Sequence, residues 1–195
     1  LKKQNLLKTF LLAFFFYNMG VQTVLYLATI FGDKELGLTS ELLIATILVL
    51  QIVAVAGSYL FSFLSGKIGN IYSLMISICF WIVVSILAYF IKTAAEFIFV
   101  AGLVGLTMGG IQALSRSTYA KFIPGDTTDH ASYFSFYDVS EKISIVIGTF
   151  FYGLINQITG NMRISSLVLS VFFITGLIFL SRIPSKNIYS IKIKS

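Results

Sequence analysis

The chain has 195 residues, of which 57% are hydrophobic and only 11% are charged, and its net charge is +6. Since a soluble domain carries roughly 25% charged residues, this composition excludes an ordinary soluble protein and favours an integral membrane protein. The positive charge does not indicate nucleic-acid binding, because the basic residues lie between apolar runs and form no basic face. Cys79 is the only cysteine, so the chain forms no internal disulfide.

Six apolar segments follow one another along the chain. A helix rises about 1.5 Å per residue, so about 20 residues cross a hydrocarbon layer of about 30 Å. The segments lack the alternation of barrel strands, and helices are therefore predicted. The expected fold is an all-α membrane protein in which residues 1–195 form a single bundle of six transmembrane helices. The predicted spans are 9–32, 42–66, 68–91, 97–115, 136–160 and 164–183.

The distribution of basic residues predicts the orientation of the bundle. With the N-terminus in the cytoplasm, Lys34, Lys92 and Arg163 lie outside, and the other eleven of the 14 Lys and Arg residues lie inside. Cytoplasmic loops are enriched in Lys and Arg, so both termini are predicted to be cytoplasmic. The first residue is Leu1 rather than methionine, and we therefore expect missing upstream residues or a longer parent protein.

Polar side chains within the spans indicate helices that face a polar interior, since helices facing lipid need no carboxamides. Asn18 and Gln22 lie four residues apart, on one face of the first helix and near the middle of its span. By this criterion helices one, two, four and five are predicted to be internal, and helices three and six peripheral. The candidate cavity residues are Asn18, Gln22, Gln51, Thr107 and Gln112. The alternative is that the amides only bond packed helices together, at well under about 2 kcal/mol each.

A group of charged residues marks the cytoplasmic edge between helices four and five. Arg116 ends helix four, and Asp138, Glu141 and Lys142 open helix five on the same side. Asp138 and Lys142 are four residues apart and can pair. Two interpretations stay open. The charges either anchor the helices at the membrane interface or form a cytoplasmic gate whose pairs break when the protein opens inward.

The pattern offers no residues for catalysis or for a cofactor. His130 is the only histidine and lies in the polar connection between helices four and five. Ser115 and Ser117 have no histidine base nearby, and the uncharged runs hold no Asp, Glu or His for acid/base or metal chemistry. We therefore expect the protein not to be an enzyme, and we expect no metal site and no cofactor.

Two strings of residues stand out in helices one and four. The longer is Gly109-Gly110-Ile111-Gln112-Ala113-Leu114-Ser115-Arg116-Ser117, followed by Ala120-Lys121, Pro124, Phe134, Phe136-Tyr137-Asp138 and Lys142. The shorter comprises Tyr17-Asn18 and Gly20-Val21-Gln22-Thr23. Both resemble motifs of one branch of the major facilitator superfamily, the autophagy-related vacuolar amino-acid effluxers and their bacterial relatives. The general loop motif of that superfamily is kept after helix two only at Leu64, Lys67 and Gly69, with Ser62 and Gly66 as departures.

The resemblance implies the C-terminal six-helix half of a twelve-helix transporter, built from two inverted three-helix repeats. In that fold a solute binds near mid-membrane between two halves that rock to alternate access. It implies a small polar solute, such as an amino acid, with Asn18, Gln22 and Gln51 lining the cavity and Gln112 behind them. The implied partners are the lipid bilayer, the N-terminal half and the solute. Met19 stands where the family usually carries an acid, so this half lacks that group for proton coupling. The transporter is then either secondary-active, with coupling in the missing half, or facilitative.

Two other functions stay open. A stand-alone half-transporter would pair with itself and would be stable as a small protein with its own start codon. A non-transporting assembly or anchoring subunit would keep its function when the mid-membrane amides are replaced by apolar residues. The isoleucine-rich composition points to an AT-rich genome, and we expect a bacterial inner membrane rather than a vacuole.

Overall fold

The computed structural model of the protein describes residues 2–124, 127 and 129–184. Within these residues the chain forms six α-helices and no strand, which confirms the predicted all-α fold. The helices are α1 (Lys2–Leu36), α2 (Ser40–Ile68), α3 (Asn70–Phe90), α4 (Ala94–Phe122), α5 (His130–Thr159) and α6 (Met162–Ser181). Outside the described residues lie three of the basic residues assigned to the cytoplasm, namely Lys186, Lys192 and Lys194.

Five of the six helices in the described ranges are long and apolar enough to cross a membrane, and α5 is the exception. It has 30 residues, but three charged side chains lie in its first half, those of Asp138, Glu141 and Lys142. The predicted span 136–160 falls mostly within α5, which begins earlier, at His130. α4 likewise continues past residue 115 to Phe122. A helix satisfies its own backbone groups whether its side chains are polar or apolar, so both helices extend beyond the apolar runs.

Local side-chain bonds define where two of the helices begin. At the start of α4, the Glu96 N–H donates to Thr93 Oγ1 at 3.3 Å, and the Glu96 carboxylate accepts from the Thr93 N–H at 3.1 Å. This capping box satisfies backbone donors that have no partner within the helix. Asn161 does the same for α6, because its side chain accepts from the N–H groups of Arg163 and Ile164.

The six helices form an inverted repeat in which α1–α3 correspond to α4–α6. The contact between α2 and α4 corresponds to the contact between α5 and α1. In the same way, the contact between α3 and α4 corresponds to the contact between α6 and α1. α2 and α5 both end at a glycine of positive φ followed by an asparagine, in the pairs Gly69-Asn70 and Gly160-Asn161. Other residues disfavour that backbone conformation, so the two junctions need glycine for the same reason. The two inverted three-helix repeats are therefore present as expected.

The equivalent crossings of α2 with α4 and of α5 with α1 bring backbones into direct contact at a glycine. A β-carbon at Gly57 would lie 2.0 Å from the Leu106 carbonyl oxygen, and one at Gly148 would lie 2.6 Å from the Met19 carbonyl oxygen. Gly57 and Gly148 are as many residues apart in the sequence as Gly69 and Gly160, the glycines of the two Gly-Asn junctions. In a membrane, packing joins helices because lipid is as apolar as the side chains, so such close crossings stabilise the bundle.

α3 and α6 pack against each other, and in addition α3 packs against α4 and α6 against α1. Their contact includes a stack of Trp81 on Phe173, with ring centroids 5.6 Å apart and both side chains fully buried. By contrast, 17% of the most apolar stretch of α2 is buried, against 44% for α3. Within this chain α2 is thus more exposed than α3, because α2 lies at the edge of the bundle and is covered mainly by α4. The assignment of internal and peripheral helices concerns the whole transporter and stays a prediction.

Candidate functional site

A polar pocket of about 590 Å³ lies among α1, α4 and α5. Sites for small molecules typically measure roughly 300–1,000 Å³. The pocket is bounded by the middle of α1, the second half of α4 and the first half of α5. It brings together two groups that the sequence analysis treated separately. These are the cavity residues Asn18, Gln22 and Gln112 and the gate residues Arg116 and Glu141.

Hydrogen bonds join α1 to α5 along one wall of the pocket. Asn18 Nδ2 donates to the Ser144 hydroxyl at 2.6 Å. Gln22 Nε2 donates to a Glu141 carboxylate oxygen at 3.1 Å and lies 3.5 Å from Asn18 Oδ1. Asn18 and Gln22 are only 5% and 7% exposed. Both amides therefore bond packed helices together, as the alternative interpretation expected, and both also line the pocket.

Aromatic side chains surround these polar groups. The Tyr17 hydroxyl lies 2.7 Å from Ser115 Oγ and joins α1 to α4. The Phe14 ring stacks on Tyr137 of α5, with centroids 4.3 Å apart. All four residues line the pocket, and the rings lower the local dielectric constant, which strengthens electrostatic interactions there. Tyr17 and Tyr137 belong to the two motifs, but the sequence did not assign them or Phe14 to the cavity, because aromatic side chains occur throughout an apolar chain and do not indicate which face they occupy.

The four predicted gate residues divide into two pairs. Arg116 and Glu141 line the pocket and place a cation on α4 and a carboxylate on α5. Asp138 is half-buried and Lys142 is exposed, and neither lines the pocket. Asp138 and Lys142 form no ion pair with each other, although they are four residues apart on one helix. An exposed pair of this kind gains little free energy, so its absence is not costly. A gate formed by all four residues stays a prediction.

Two predicted cavity residues lie outside the pocket. Gln51 is exposed on α2. Thr107 is fully buried in α4, and its hydroxyl donates to the carbonyl groups of Leu103 and Val104 in the same helix. A helical threonine can always satisfy its hydroxyl in this way, so its presence in a span does not indicate a cavity. A role for either residue in solute binding stays a prediction.

The chain is similar to known membrane proteins through almost its whole length. Residues 1–188 match the family described as vacuole effluxer Atg22-like. The chain belongs to this family. An uncharacterized MFS-type transporter of Bacillus subtilis, YxiO, is 33% identical over 188 residues, which are 96% of this chain and 43% of that protein. Autophagy-related protein 22 of Saccharomyces cerevisiae is 26% identical over 194 residues, which cover 94% of this chain and 35% of the yeast protein.

The chain thus spans less than half the length of these two relatives. No solved structure matches it. Membership in the Atg22-like family confirms the resemblance to the vacuolar effluxers and their bacterial relatives that the two motifs indicated. Together with the long apolar helices, it makes this chain part of an integral, multi-pass membrane protein.

The longer motif that this Atg22-like chain carries on α4 combines packing and pocket residues. A β-carbon at Gly109 would lie 2.0 Å from the Ala54 carbonyl oxygen of α2, so the start of the motif holds two helices together. Gln112 and Arg116 follow at spacings of three and four residues, and both line the pocket. Ser115 lies between them in sequence and bonds to Tyr17. The motif therefore positions the pocket residues by fixing α4 against its neighbours.

Polar bonds also fasten the two ends of this Atg22-like bundle at equivalent places. At one end Asn70, the first residue of α3, accepts from Lys121 Nζ of α4 at 2.8 Å and donates to the Ser117 hydroxyl at 3.2 Å. In the corresponding place of the other repeat, Arg163 near the start of α6 forms an ion pair with Glu35 near the end of α1, at 3.2 Å. The inverted repeat thus extends from the crossings to the helix ends.

Proposed function

We propose that this chain is one half of a major-facilitator-type transporter that carries a small polar solute across a membrane by alternating access. The observation that carries the proposal is the pocket among α1, α4 and α5, with Arg116 and Glu141 on two of its walls. Charged side chains inside membrane bundles are costly, and they usually face a cavity or a partner. The family description and the name of the bacterial relative support the same function. The rest of the protein would supply the opposite wall of the solute path.

The proposed solute is an amino acid or another small molecule that carries a carboxylate. Arg116 would bind the carboxylate, because a guanidinium offers two parallel N–H donors to its two oxygens. Gln112 lies one turn away on the same helix, and its side chain is exposed and makes no hydrogen bond to the described residues. Its amide is therefore available to the solute, unlike the amides of Asn18 and Gln22, which are bonded to α5.

Replacing Gln112 with leucine in the full-length transporter should slow solute exchange by about fivefold to tenfold. A lost hydrogen bond of about 1 to 1.5 kcal/mol gives a change of that size. The measurement is exchange of a radiolabelled mixture of amino acids across the membrane of liposomes that contain the protein. Gln157 is the matched control, since its amide is exposed on α5 outside the pocket, and Gln157→Leu should exchange at nearly the wild-type rate. Equal losses in the two variants would argue against this pocket as the solute path.

We also propose that both termini face the cytoplasm and that the protein lies in a bacterial cell membrane. In a Cys79→Ser background, cysteine at Lys92 should react with a membrane-impermeant maleimide added to intact cells. Cysteine at His130 should react only after the cells are opened. Both positions are exposed, and they lie at the ends of different helices. The converse labelling pattern would mean that the chain has the opposite orientation.

A further inference from the structure

Glu141 reaches the middle of the bundle although it belongs to the first half of α5. It lies roughly 17 Å along the helix axis from His130, at 1.5 Å per residue. Its carboxylate accepts a hydrogen bond from Gln22 Nε2 at 3.1 Å. Gln22 lies near the middle of the uncharged run 9–32 of α1. An acid that the sequence placed at the membrane edge is therefore level with the centre of α1.

The carboxylate of Glu141 forms no ion pair with any of the described residues. Arg116 of α4 lines the same pocket and is the cation that faces it. α6 also packs on α5, but its charged residues Arg163 and Arg182 lie at its two ends. The direct partner is the neutral amide of Gln22. The other titratable groups of α1 and α5 in this region are Tyr17, Tyr137, Asp138 and Lys142.

We propose that Glu141 takes up and releases the proton that couples solute movement to a proton gradient, and this inference rests on the transport function proposed above. On one side of the membrane the carboxylate takes a proton from hydronium, leaving water and a neutral carboxylic acid. After the halves have rocked, the acid returns the proton to water on the other side. No electron is transferred, and the net change is the movement of one proton.

The structure supplies a physical reason why protonation would change the conformation. A carboxylate enclosed away from water is strongly disfavoured unless it is paired, whereas a neutral acid is enclosed at much lower cost. Glu141 is half-buried in this half, and once the opposite half covers the pocket the single bond from Gln22 would compensate only part of that penalty. Protonation also removes the charge opposite Arg116, which leaves the guanidinium to the carboxylate of the solute. Proton and solute would then favour each other's binding, which is the requirement for coupling.

The first test needs no solute. Ala113 is exposed and lines the pocket. The variant Ala113→Cys is made in the full-length protein that also carries Cys79→Ser, and the protein is placed in nanodiscs. The rate at which this cysteine reacts with a water-soluble thiol reagent reports how open the pocket is. The labelling rate, divided by that of a cysteine at Lys92, should change between neutral and acidic buffer, and Glu141→Gln should abolish the change. Glu96→Gln should retain it, because Glu96 belongs to the exposed capping box of α4. A pH response that survives in Glu141→Gln, or that the parent protein lacks, overturns the proposal.

The second test measures transport of radiolabelled neutral amino acids into liposomes with and without an imposed pH gradient. Wild-type uptake should rise with the gradient, and the exchange that remains in Glu141→Gln should not respond to it. Wild-type exchange that ignores the gradient overturns the proposal and leaves the transport function standing. If the wild type exchanges nothing, the transport function fails, and the labelling test alone decides whether Glu141 takes up a proton. If Glu141→Gln loses exchange but its labelling still responds to pH, Glu141 binds the solute instead, and the proposal is overturned.

Discussion

Replacing Gly57 with alanine should destabilise the bundle by about 3 kcal/mol, which is the upper part of the usual range for overpacking. A β-carbon at Gly57 would lie 2.0 Å from the Leu106 carbonyl oxygen, so α2 and α4 would have to separate. This clash is with backbone atoms, which cannot rotate away as the end of a flexible side chain can. Alanine at Gly66, on the same helix, would have no atom within 4 Å, and it should be neutral or stabilising by up to about 1 kcal/mol.

The measurement is the midpoint of thermal unfolding of the full-length protein in detergent, where the Gly57 variant should unfold about 3 °C or more below the Gly66 variant. The inverted repeat provides an independent pair on α5. Alanine at Gly148 would meet the Met19 carbonyl oxygen at 2.6 Å, whereas alanine at Gly153 would meet nothing within 4 Å. Equal midpoints within both pairs would show that the helices cross less closely than this structure has them.

Replacing Arg116 with glutamine should raise the KM for the solute about thirtyfold. Arg116 is exposed in this half. If the opposite half encloses it together with the carboxylate of the solute, loss of the positive charge should cost solute binding about 2 kcal/mol or more. Glutamine keeps two N–H donors but removes the charge, so the effect reports on electrostatics. The measurement is the concentration dependence of amino-acid exchange in liposomes that contain the full-length transporter.

Arg182 is the matched control for Arg116. Each guanidinium lies over a phenylalanine ring, at 5.6 Å from the centre of Phe134 for Arg116 and 5.3 Å from that of Phe179 for Arg182. Arg182 is exposed after the end of α6 and does not line the pocket. Arg182→Gln should therefore leave KM near the wild-type value. Similar small effects in both variants would favour the interpretation of Arg116 as a membrane-interface anchor.

The candidate site could be predicted where a helix alone decides which side chains share a face. The spacing of Asn18 and Gln22 placed both amides on one face of α1, and both line the pocket. On α4, Gln112 was a predicted cavity residue and Arg116 a predicted gate residue, and the pocket contains both. The helical period, which is local, determines which side chains of one helix share a face, and solute binding by these residues stays a prediction.

Other parts of the site depend on how far helices extend and on what packs against them. Glu141 was assigned to the membrane edge because the apolar run begins after Lys142, yet its carboxylate bonds to Gln22 near the middle of α1. Thr107 was assigned to the cavity because it is polar, yet it faces the interior of the bundle and bonds to its own helix. In both cases the position of the neighbouring helix decides what surrounds the side chain. The sequence of one helix does not contain that position.

The sequence by itself determined that this chain forms membrane-embedded helices, since long uncharged runs must satisfy their own backbone within lipid. It also identified the family through the motif on α4. Only the tertiary structure decided which helices touch, because small residues such as Gly57 and Gly148 permit close crossings without specifying the partner. Those crossings bring the middle of α1 against the first half of α5. They thereby place a carboxylate, a guanidinium and three amides around one pocket, a combination that no single stretch of the chain contains.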